Sequence, residues 1–491
     1  MVRQIFVLGR IPGNPGDRQR CRQRGHQNRN PARPGIALSV TMLMMLDGFV
    51  RTLQGLTHRG FSFVDACVML RRSAGRPSDS VVCTQGSAVH QINCITGRNG
   101  SMKVLHGIQV IDLSRVLAGP YCAQMLADFG ADVVKIEAPE GDENRLWPPV
   151  CESGYSANFA SVNRGKRGMT LDLKTPAARD VLLRLAQHAD VLIHSFLPDT
   201  AERLGISVER LRADNPRLVV ATISGYGTQG PLASKRGYDL MVQAFGGIMS
   251  TTGVIGGPPL RCGLSVIDMS TGLSLYAGIV TALLARQASG QGTWVHGSLL
   301  ETTVALLGHM GVAWMQAAVV PEPQGSGSWL LVPYQAFRCQ DGWVLAGAPN
   351  DGAWRRFCDA LEWPSLADDP RFQGNAARVA KRDELVPMLE ARFAQHTVAH
   401  WVERLEARSV ACSPVQTVDQ VMTHPQVLAN QMRVAAGGQP LIGTPFKLSD
   451  GGGVAEAPAP ALGADTEAVL AETLGLSEPE IAQLRAVGAF G

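Results

Sequence analysis

The chain of 491 residues lacks the features that mark several protein classes. Its uninterrupted apolar runs are far shorter than the roughly 18 residues that a membrane-spanning helix needs. Its ten cysteines form no CxxC pair and no zinc-type spacing with histidine, which favours free thiols in a reducing, cytoplasmic compartment. A net charge of +3 is no basic excess of the kind that nucleic-acid-binding proteins show. We therefore expect a cytoplasmic globular protein with no metal, nucleic-acid or membrane partner.

Residues 1–101 contain no lysine and no glutamate, although both are favoured on helix surfaces. Fourteen arginines against four aspartates give this segment a net charge of +10 and leave −7 for residues 102–491. We expect residues 1–101 to be a non-native or disordered basic extension that precedes a true start at Met102. A genuine basic tail is the alternative.

From Met102 onward the chain alternates strand and helix patterns. Thr175 and Pro176 are an N-cap and a first helical residue, and Val181, Leu182 and Leu185 then share one helix face. Short apolar runs predict strands at Ile108–Leu113, Asp132–Ile136, Val191–His194 and Leu218–Ile223. The alternation predicts an α/β fold with a parallel, doubly wound sheet and a ligand site at the carboxyl ends of its strands.

The second half of the chain is predicted to be mainly helical, with one hairpin that turns at Asp341-Gly342. A glycine-rich stretch, Gly246–Gly263, comes before these elements. The predicted helices are a long apolar one at Ser270–Gln287, a buried one at Leu299–Ala318, two more at Trp354–Leu361 and Leu385–Phe393, and a capped one from Ser477.

The turn after the first strand excludes a dinucleotide-binding loop of the usual kind. Such a loop needs GxGxxG, so that pyrophosphate can approach the helix N-terminus. Ser114–Tyr121 holds only Gly119. A helix that starts here can still hold an anionic or adenine-bearing ligand.

Several charged residues have two interpretations from sequence alone. The basic groups of Lys135–Glu137 and Asn163–Gly168 indicate either a solvated surface or phosphate recognition. Asp239 and Asp268 stand among apolar residues, where a carboxylate must be hydrogen-bonded, paired or used. For Asp239 we expect a local ion pair, with Lys235 or Arg236, or a helix cap. For Asp268, a buried N-cap before the helix and a nucleophile are both open.

An ordered series of motifs resembles the class III CoA-transferases, the family of formyl-CoA and carnitine CoA-transferases. It begins with Leu105-His-Gly-Ile-Gln-Val-Ile-Asp-Leu-Ser-Arg-Val-Leu-Ala-Gly-Pro-Tyr-Cys and spans about 102–450. The later motifs, in order, are Gly130–Glu137, Asn163–Arg167, Leu171–Lys174, Gly225–Gly227, Gly237–Leu240, Thr251–Gly253 and the segment around Asp268.

The resemblance implies a domain plan and an assembly. It implies a Rossmann-like large domain at 102–320, an inserted smaller α+β domain at 330–430, and a segment at 431–491 that returns to the large domain. Two ring-shaped chains interlock in the family, so it also implies a threaded homodimer. The substrates would be an acyl-CoA and a small carboxylic acid, with coenzyme A as a substrate and no tightly bound cofactor.

The resemblance also implies roles for individual residues. Asp268 matches the catalytic aspartate, which attacks the acyl-CoA thioester and forms a mixed anhydride. Leu117 replaces a glutamine of formyl-CoA transferase, which argues against formyl or oxalyl substrates, and Ala138 replaces a phosphate-binding arginine. The residues that match CoA contacts are Leu117, Ala118, Leu171, Asp172, Leu173, Lys174, Phe196, Arg203, Arg236, Gly237, Tyr238 and Asp239.

Two rival functions remain at this point. The α-methylacyl-CoA racemases pair the same aspartate with a histidine, but here Tyr238 takes that position. A tyrosine, whose ordinary pKa is about 10, is a poor substitute for an imidazole that moves protons near neutral pH. The other rival is a non-catalytic CoA-binding paralogue. The sequence does not identify the acids that are exchanged. Arg236, Arg261 and Trp329 are suggested neighbours of a dicarboxylate. Whether Gln324–Trp329 acts as a lid is also open.

Overall fold

A computed structural model of the chain describes residues 103–449, 453 and 455–491. The basic extension predicted at 1–101 lies outside the described residues, as does Met102, so both stay predictions.

A six-stranded parallel sheet is the centre of the described fold, with strand order β3-β2-β1-β4-β5-β6. This is the order of doubly wound nucleotide-binding folds, and it confirms the predicted parallel sheet. In the central pairs Val110 lies opposite Val133 and Val191. The six strands are β1 (Gln109–Asp112), β2 (Asp132–Glu137), β3 (Arg167–Thr170), β4 (Val191–His194), β5 (Val219–Ser224) and β6 (Trp294–Ser298).

Helices cover both faces of this sheet because its strands are apolar on both sides. On one face Ile111, Leu192 and Val220 pack in a cluster that also contains Leu182 and Ile481. The opposite face is covered mainly by the helices Ala118–Asp128 and Val266–Ser289. The first helices are α1 (Ala118–Asp128), α2 (Ala157–Asn163), α3 (Pro176–His188), α4 (Pro198–Leu204), α5 (Val208–Asp214), α6 (Asp239–Phe245), α7 (Ile248–Thr251), α8 (Val266–Ser289) and α9 (Leu299–Ala317), with a 3₁₀ turn at Glu143–Leu146.

A third apolar cluster lies between Val332 and Val410. It is built on an antiparallel sheet of β7 (Tyr334–Arg338), β8 (Trp343–Gly347) and β9 (Ala411–Pro414). The predicted hairpin is confirmed, because Arg338 pairs with Trp343 across the turn. Around it lie α10 (Asp351–Ala360), α11 (Pro364–Ala367), a 3₁₀ turn at Pro370–Phe372, α12 (Asn375–Ala380), α13 (Arg382–Phe393) and α14 (Val398–Glu406).

The last part of the chain packs against the large sheet. Val469 and Phe490 are buried in the same cluster as Ile111. The predicted cap at Ser477 is confirmed as a full capping box with Glu480. The elements here are α15 (Val418–Thr423), α16 (Pro425–Ala429), the hairpin β10 (Arg433–Ala436) and β11 (Gln439–Ile442), α17 (Thr466–Leu474) and α18 (Glu478–Ala486). The predicted boundaries of the domains themselves stay a prediction.

The helix predicted at Leu299–Ala318 is confirmed as α9, but its predicted burial is wrong. Before it, residues 294–298 form strand β6, which was not predicted and which completes the edge of the parallel sheet beside β5. The helix that follows, α9, breaks at Gly308 and is mostly exposed rather than buried. Its apolar pattern resembles that of a core helix, yet Trp314 is 60% exposed and Met315 69%.

Helix α8, at 24 residues, is by length and composition the one described helix that could cross a membrane. A core helix of a soluble protein passes the same test. Here α8 packs on α1 and contributes Ile267, Leu275 and Ile279 to the apolar cluster against the sheet.

Candidate active site

A cavity of about 660 Å³ opens at the carboxyl ends of the parallel strands, where the doubly wound topology predicts a ligand site. Its walls come from the segments that follow β1, β2, β3, β4 and β5, and from the start of α8. All but one of the predicted site residues line it. They are Leu117, Ala118, Leu171, Asp172, Leu173, Lys174, Phe196, Arg203, Arg236, Gly237, Tyr238 and Asp268.

The first wall of the cavity is a strained turn. Val116 has a φ of 68°, a left-handed conformation that is rare for a β-branched residue. Its N–H donates to the Asp142 carboxylate at 3.1 Å, and its carbonyl accepts from Asn144 Nδ2 at 2.7 Å. These two side chains therefore hold the turn that presents Leu117 and Ala118 to the cavity. No sequence pattern indicated Asp142 or Asn144, which come from the loop after β2.

Most of the basic residues in Lys135–Glu137 and Asn163–Gly168 are buried in ion pairs. For these residues, both the solvated surface and the phosphate site predicted from sequence are wrong. Lys135 is buried and its Nζ lies 3.1 Å from Asp142 Oδ2. Lys166 is buried and lies 2.8 Å from Asp112 Oδ2, and Arg164 binds Asp128 in the same way. The reason is that β2 and the 163–168 segment run through the interior, where a cation persists only beside a carboxylate.

Asp268 lies inside helix α8, so the predicted N-cap position is wrong. The helix begins at Val266, two residues before it, and Ser265 is the N-cap without a side-chain cap bond. Asp268 is therefore at the third position of the helix, is half-buried, and lines the cavity.

Asp239 is the predicted residue that does not line the cavity. It lies behind Asp268, where its Oδ2 accepts the backbone N–H groups of Ile267 at 2.9 Å and Asp268 at 3.0 Å. Gln243 Nε2 donates to its other oxygen at 2.5 Å. Asp239 thus caps the neighbouring helix α8. The prediction that Asp239 is a helix cap is confirmed. The alternative, a local ion pair with Lys235 or Arg236, is wrong.

The surroundings change the acidity of Asp268. Burial, together with the negative charge of the nearby Asp239, raises the pKa of Asp268 to about 7. A carboxylate with a pKa near 7 is more basic, and so a stronger nucleophile, than an ordinary aspartate. Near neutral pH a large fraction of the group is still in the anionic form that can attack a carbonyl carbon.

Glycine lets two loops meet at the other wall of the cavity. A Cβ on Gly225 would lie 2.5 Å from the backbone N of Gly237, so a side chain at position 225 would push the loops apart. This close approach places Arg236 and Tyr238 on the cavity beside the end of β5. The opposite wall, Leu171–Lys174, is tied down by Arg179, whose Nη1 donates to the carbonyls of Leu173 and Lys174 at 3.0 Å.

Comparison with known proteins bears on what this cavity does. The model of CoA-transferase family III matches residues 105–466. An acyl-CoA transferase of Fusarium pseudograminearum is 37% identical over 432 residues, 84% of this chain and 94% of that protein. The succinyl-CoA:glutarate CoA-transferase of Mus musculus is 33% identical over 399 residues, 79% of this chain and 90% of that protein. The chain belongs to CoA-transferase family III.

A solved structure agrees with this family. The crystal structure of a CAIB/BAIF family protein from Brucella suis superposes with a TM-score of 0.70 at 35% identity, over 75% of this chain and 99% of that one. The protein is thus a class III CoA-transferase, an enzyme that moves CoA between carboxylic acids. Membership of this enzyme family excludes the hypothesis of a non-catalytic CoA-binding paralogue. It also favours the transferase over the racemase.

In this CoA-transferase, several cationic side chains line the cavity. Lys174, Arg203 and Arg236 line it as predicted, and Arg115 and Arg179 line it as well. Arg115 follows β1 within the first family motif, so the motif itself could have indicated it. Arg179 stands in helix α3, where nothing in the sequence distinguishes it from a surface arginine. Of the residues suggested near a dicarboxylate, Arg236 lines the cavity, whereas Arg261 and Trp329 do not.

We expect the transfer rate of this enzyme to depend on pH through Asp268. With a pKa of about 7, the carboxyl group loses its proton as the pH rises, so kcat/KM should increase through about pH 7 and then level off. The control is Asp239→Asn, which removes the neighbouring charge but keeps an oxygen for the backbone N–H groups of Ile267 and Asp268. In this variant the inflection of kcat/KM against pH should move to lower pH. An identical inflection in both proteins would contradict the assignment.

Proposed function

We propose that this CoA-transferase carries the acyl group on Asp268, with succinyl-CoA as the donor and glutarate as the acceptor. The observation that supports the nucleophile is one half-buried carboxylate at the N-terminal turn of a long helix, facing the cavity at the sheet edge. Relatives of this chain are named as succinyl-CoA:glutarate CoA-transferases, in Mus musculus and Homo sapiens.

The reaction begins when the Asp268 carboxylate attacks the thioester carbonyl carbon. The C–S bond breaks, the acyl group becomes an aspartyl anhydride, and CoA leaves as the thiolate. The thiolate then attacks the aspartyl carbonyl of the anhydride, which releases the donor acid and leaves an aspartyl–CoA thioester. The acceptor carboxylate attacks this thioester, which forms a second anhydride and frees the thiolate. The thiolate finally attacks the acyl carbon of the acceptor, which releases the new acyl-CoA and restores the Asp268 carboxylate. Because an anhydride hydrolyses readily, the chemistry benefits from a half-buried position of this kind.

The proposed CoA path follows the cationic wall of the cavity. Lys174 and Arg203 are exposed enough to meet phosphates of the nucleotide, and Arg236 lines the same cavity next to Gly237. Leu117, which is buried at the cavity wall, favours the methylene groups of a longer dicarboxylate over formate or oxalate. No tightly bound cofactor is needed for this reaction.

Trapping the acyl-enzyme tests the proposed function. The enzyme is mixed with succinyl-CoA and quenched in hydroxylamine, which converts an activated aspartyl carbonyl into a hydroxamate. We expect the modification on the peptide that contains Asp268, and only when succinyl-CoA is present. The same protein assayed against a panel of donors and acids should prefer succinyl-CoA and glutarate. A modified peptide elsewhere, or transfer without any modification, would contradict the proposal.

We also propose the interlocked homodimer of the family for this chain. Exposed apolar side chains support it, among them Leu284, Val304, Trp314 and Met315 on α8 and α9, each more than half exposed. Large apolar side chains that are left exposed together are typical of protein interfaces.

Threading gives this dimer a property that an ordinary dimer lacks. Two linked rings separate only when a chain unfolds, so dilution should not dissociate the dimer on the timescale of hours. We expect an unchanged dimeric mass by light scattering over about a 1000-fold dilution, where a mass-action dimer of micromolar affinity would fall apart. Progressive conversion to monomer on dilution would contradict the threaded assembly.

A cytoplasmic location remains our proposal. The described cysteines Cys122, Cys151, Cys262, Cys339, Cys358 and Cys412 are all free thiols, which supports a reducing compartment. Fractionation of the source cells, with antibody detection of the protein, tests it.

A further inference from the structure

A second candidate nucleophile lines the same cavity and contacts an imidazole. Ser224, the last residue of β5, lines the cavity, and its Oγ lies 3.1 Å from Nε2 of His296 on the adjacent strand β6. The parallel pairing fixes this contact, because Thr222 lies opposite His296 and Ser224 opposite Ser298. A hydroxyl within hydrogen-bond reach of an imidazole is the first requirement of a serine nucleophile.

The hydrogen bonds around Ser224 direct its proton towards the histidine. The N–H of Gly227 can only donate, and it donates to Ser224 Oγ at 3.0 Å. The single hydroxyl hydrogen is therefore free to point at His296 Nε2, which must then be the unprotonated nitrogen. Burial lowers the pKa of His296, although Glu301 opposes this, so the ring is neutral near pH 7.

A carboxylate lies on the other side of the imidazole, just beyond hydrogen-bond distance. Glu301 Oε2 lies 3.6 Å from Nδ1 of His296. Glu301 is itself held in place, since Ser298 Oγ donates to Oε2 at 2.6 Å and accepts the Glu301 N–H at 3.0 Å. Trp294 also packs against the ring, with the two centroids 5.7 Å apart. Serine, histidine and carboxylate thus lie in the same order as in hydrolases, and the serine and the histidine are within hydrogen-bond distance of each other.

We propose that Ser224, His296 and Glu301 give this enzyme a second activity, the slow hydrolysis of acyl-CoA thioesters. Ser224 Oγ attacks the thioester carbonyl while its proton passes to His296 Nε2. The C–S bond breaks, and the proton leaves with CoA as the free thiol. Water, activated by the same imidazole, then cleaves the seryl ester, which releases the carboxylic acid and restores the serine. The proposal needs acyl-CoA in the cavity, but it does not need Asp268.

The test uses succinyl-CoA and acetyl-CoA without any acceptor acid, and follows release of the CoA thiol. In Asp268→Asn protein we expect transfer to be lost and hydrolysis to persist. Adding Ser224→Ala or His296→Asn to that variant should lower the hydrolysis rate by about 100-fold or more. Binding of CoA, measured by calorimetry for every variant, shows that the cavity has kept its shape.

Each outcome separates the second activity from transfer. Hydrolysis that disappears with Asp268→Asn alone, while CoA still binds, would mean that water attacks the aspartyl anhydride, and would overturn the proposal. Hydrolysis that survives in both double variants, or that is absent from the unchanged enzyme, would overturn it as well. Failure of the hydrolase leaves transfer through Asp268 unaffected, because transfer is read with an acceptor acid present.

Discussion

Asp268→Asn is expected to lower the rate of CoA transfer by a factor on the order of 10⁴ or more while CoA binding changes only slightly. The amide has nearly the size and shape of the carboxylate but no anionic oxygen to attack the thioester carbon. The backbone around it should not move, since the N–H groups of Ile267 and Asp268 are bound by Asp239 and not by the substituted side chain. Separation of the CoA esters by chromatography measures the rate, and calorimetry measures CoA affinity.

The control variants for this substitution separate chemistry from shape. Deamidation of Asp268→Asn would restore the carboxylate, whereas Asp268→Ala cannot regain it. We expect Asp268→Ala to be at least as inactive as the asparagine variant. Asp268→Glu keeps the carboxylate but moves it by one methylene group, and we expect activity between the two extremes. A near-normal transfer rate in Asp268→Ala would show that the nucleophile is another group.

The parallel sheet was predictable because its strands are short, β-branched and separated by helices with clear start signals. Val191–His194 is predicted and observed with the same bounds, and Thr175 caps its helix as expected. Strands β3 and β6 were missed for a physical reason. Arg167–Thr170 contains an arginine and a glycine, and Trp294–Ser298 a histidine and a glycine, so neither has the apolar run that identifies a buried strand.

The site was predictable only in part, because linear order does not tell which polar side chains meet. The family motifs indicate Asp268 and the cavity wall at Leu171–Lys174. They do not indicate that Asp239 reaches from one helix to cap another, or that Asn144 holds the carbonyl of Val116. These contacts join residues 28 or 29 positions apart. Lysine in a sequence is expected at the surface, so nothing in the pattern predicts that Lys135 and Lys166 are buried.

Lys166→Met should destabilise the fold more than any surface substitution, by about 3–5 kcal/mol in the free energy of unfolding. The ammonium group of Lys166 is fully buried and donates to Asp112 Oδ2 at 2.8 Å, to the Pro120 carbonyl at 2.9 Å and to Asn163 Oδ1 at 2.8 Å. Methionine fills the same volume but leaves the Asp112 carboxylate as an unpaired buried charge. Denaturant unfolding followed by circular dichroism gives the difference.

The double variant Lys166→Met/Asp112→Asn identifies the unpaired charge as the cause. Asparagine is neutral, and its oxygen can still accept the N–H of Ser114, which donates to Asp112 Oδ1 at 3.0 Å. The double variant should therefore recover most of the lost stability, since removing both charges of a buried pair costs far less than removing one. Lys381→Met is the matched surface control, because its pair with Glu384 is half exposed, and it should change stability by about 0.5 kcal/mol or less. If the double variant is no more stable than Lys166→Met, the loss comes from packing around position 166 and not from the isolated carboxylate.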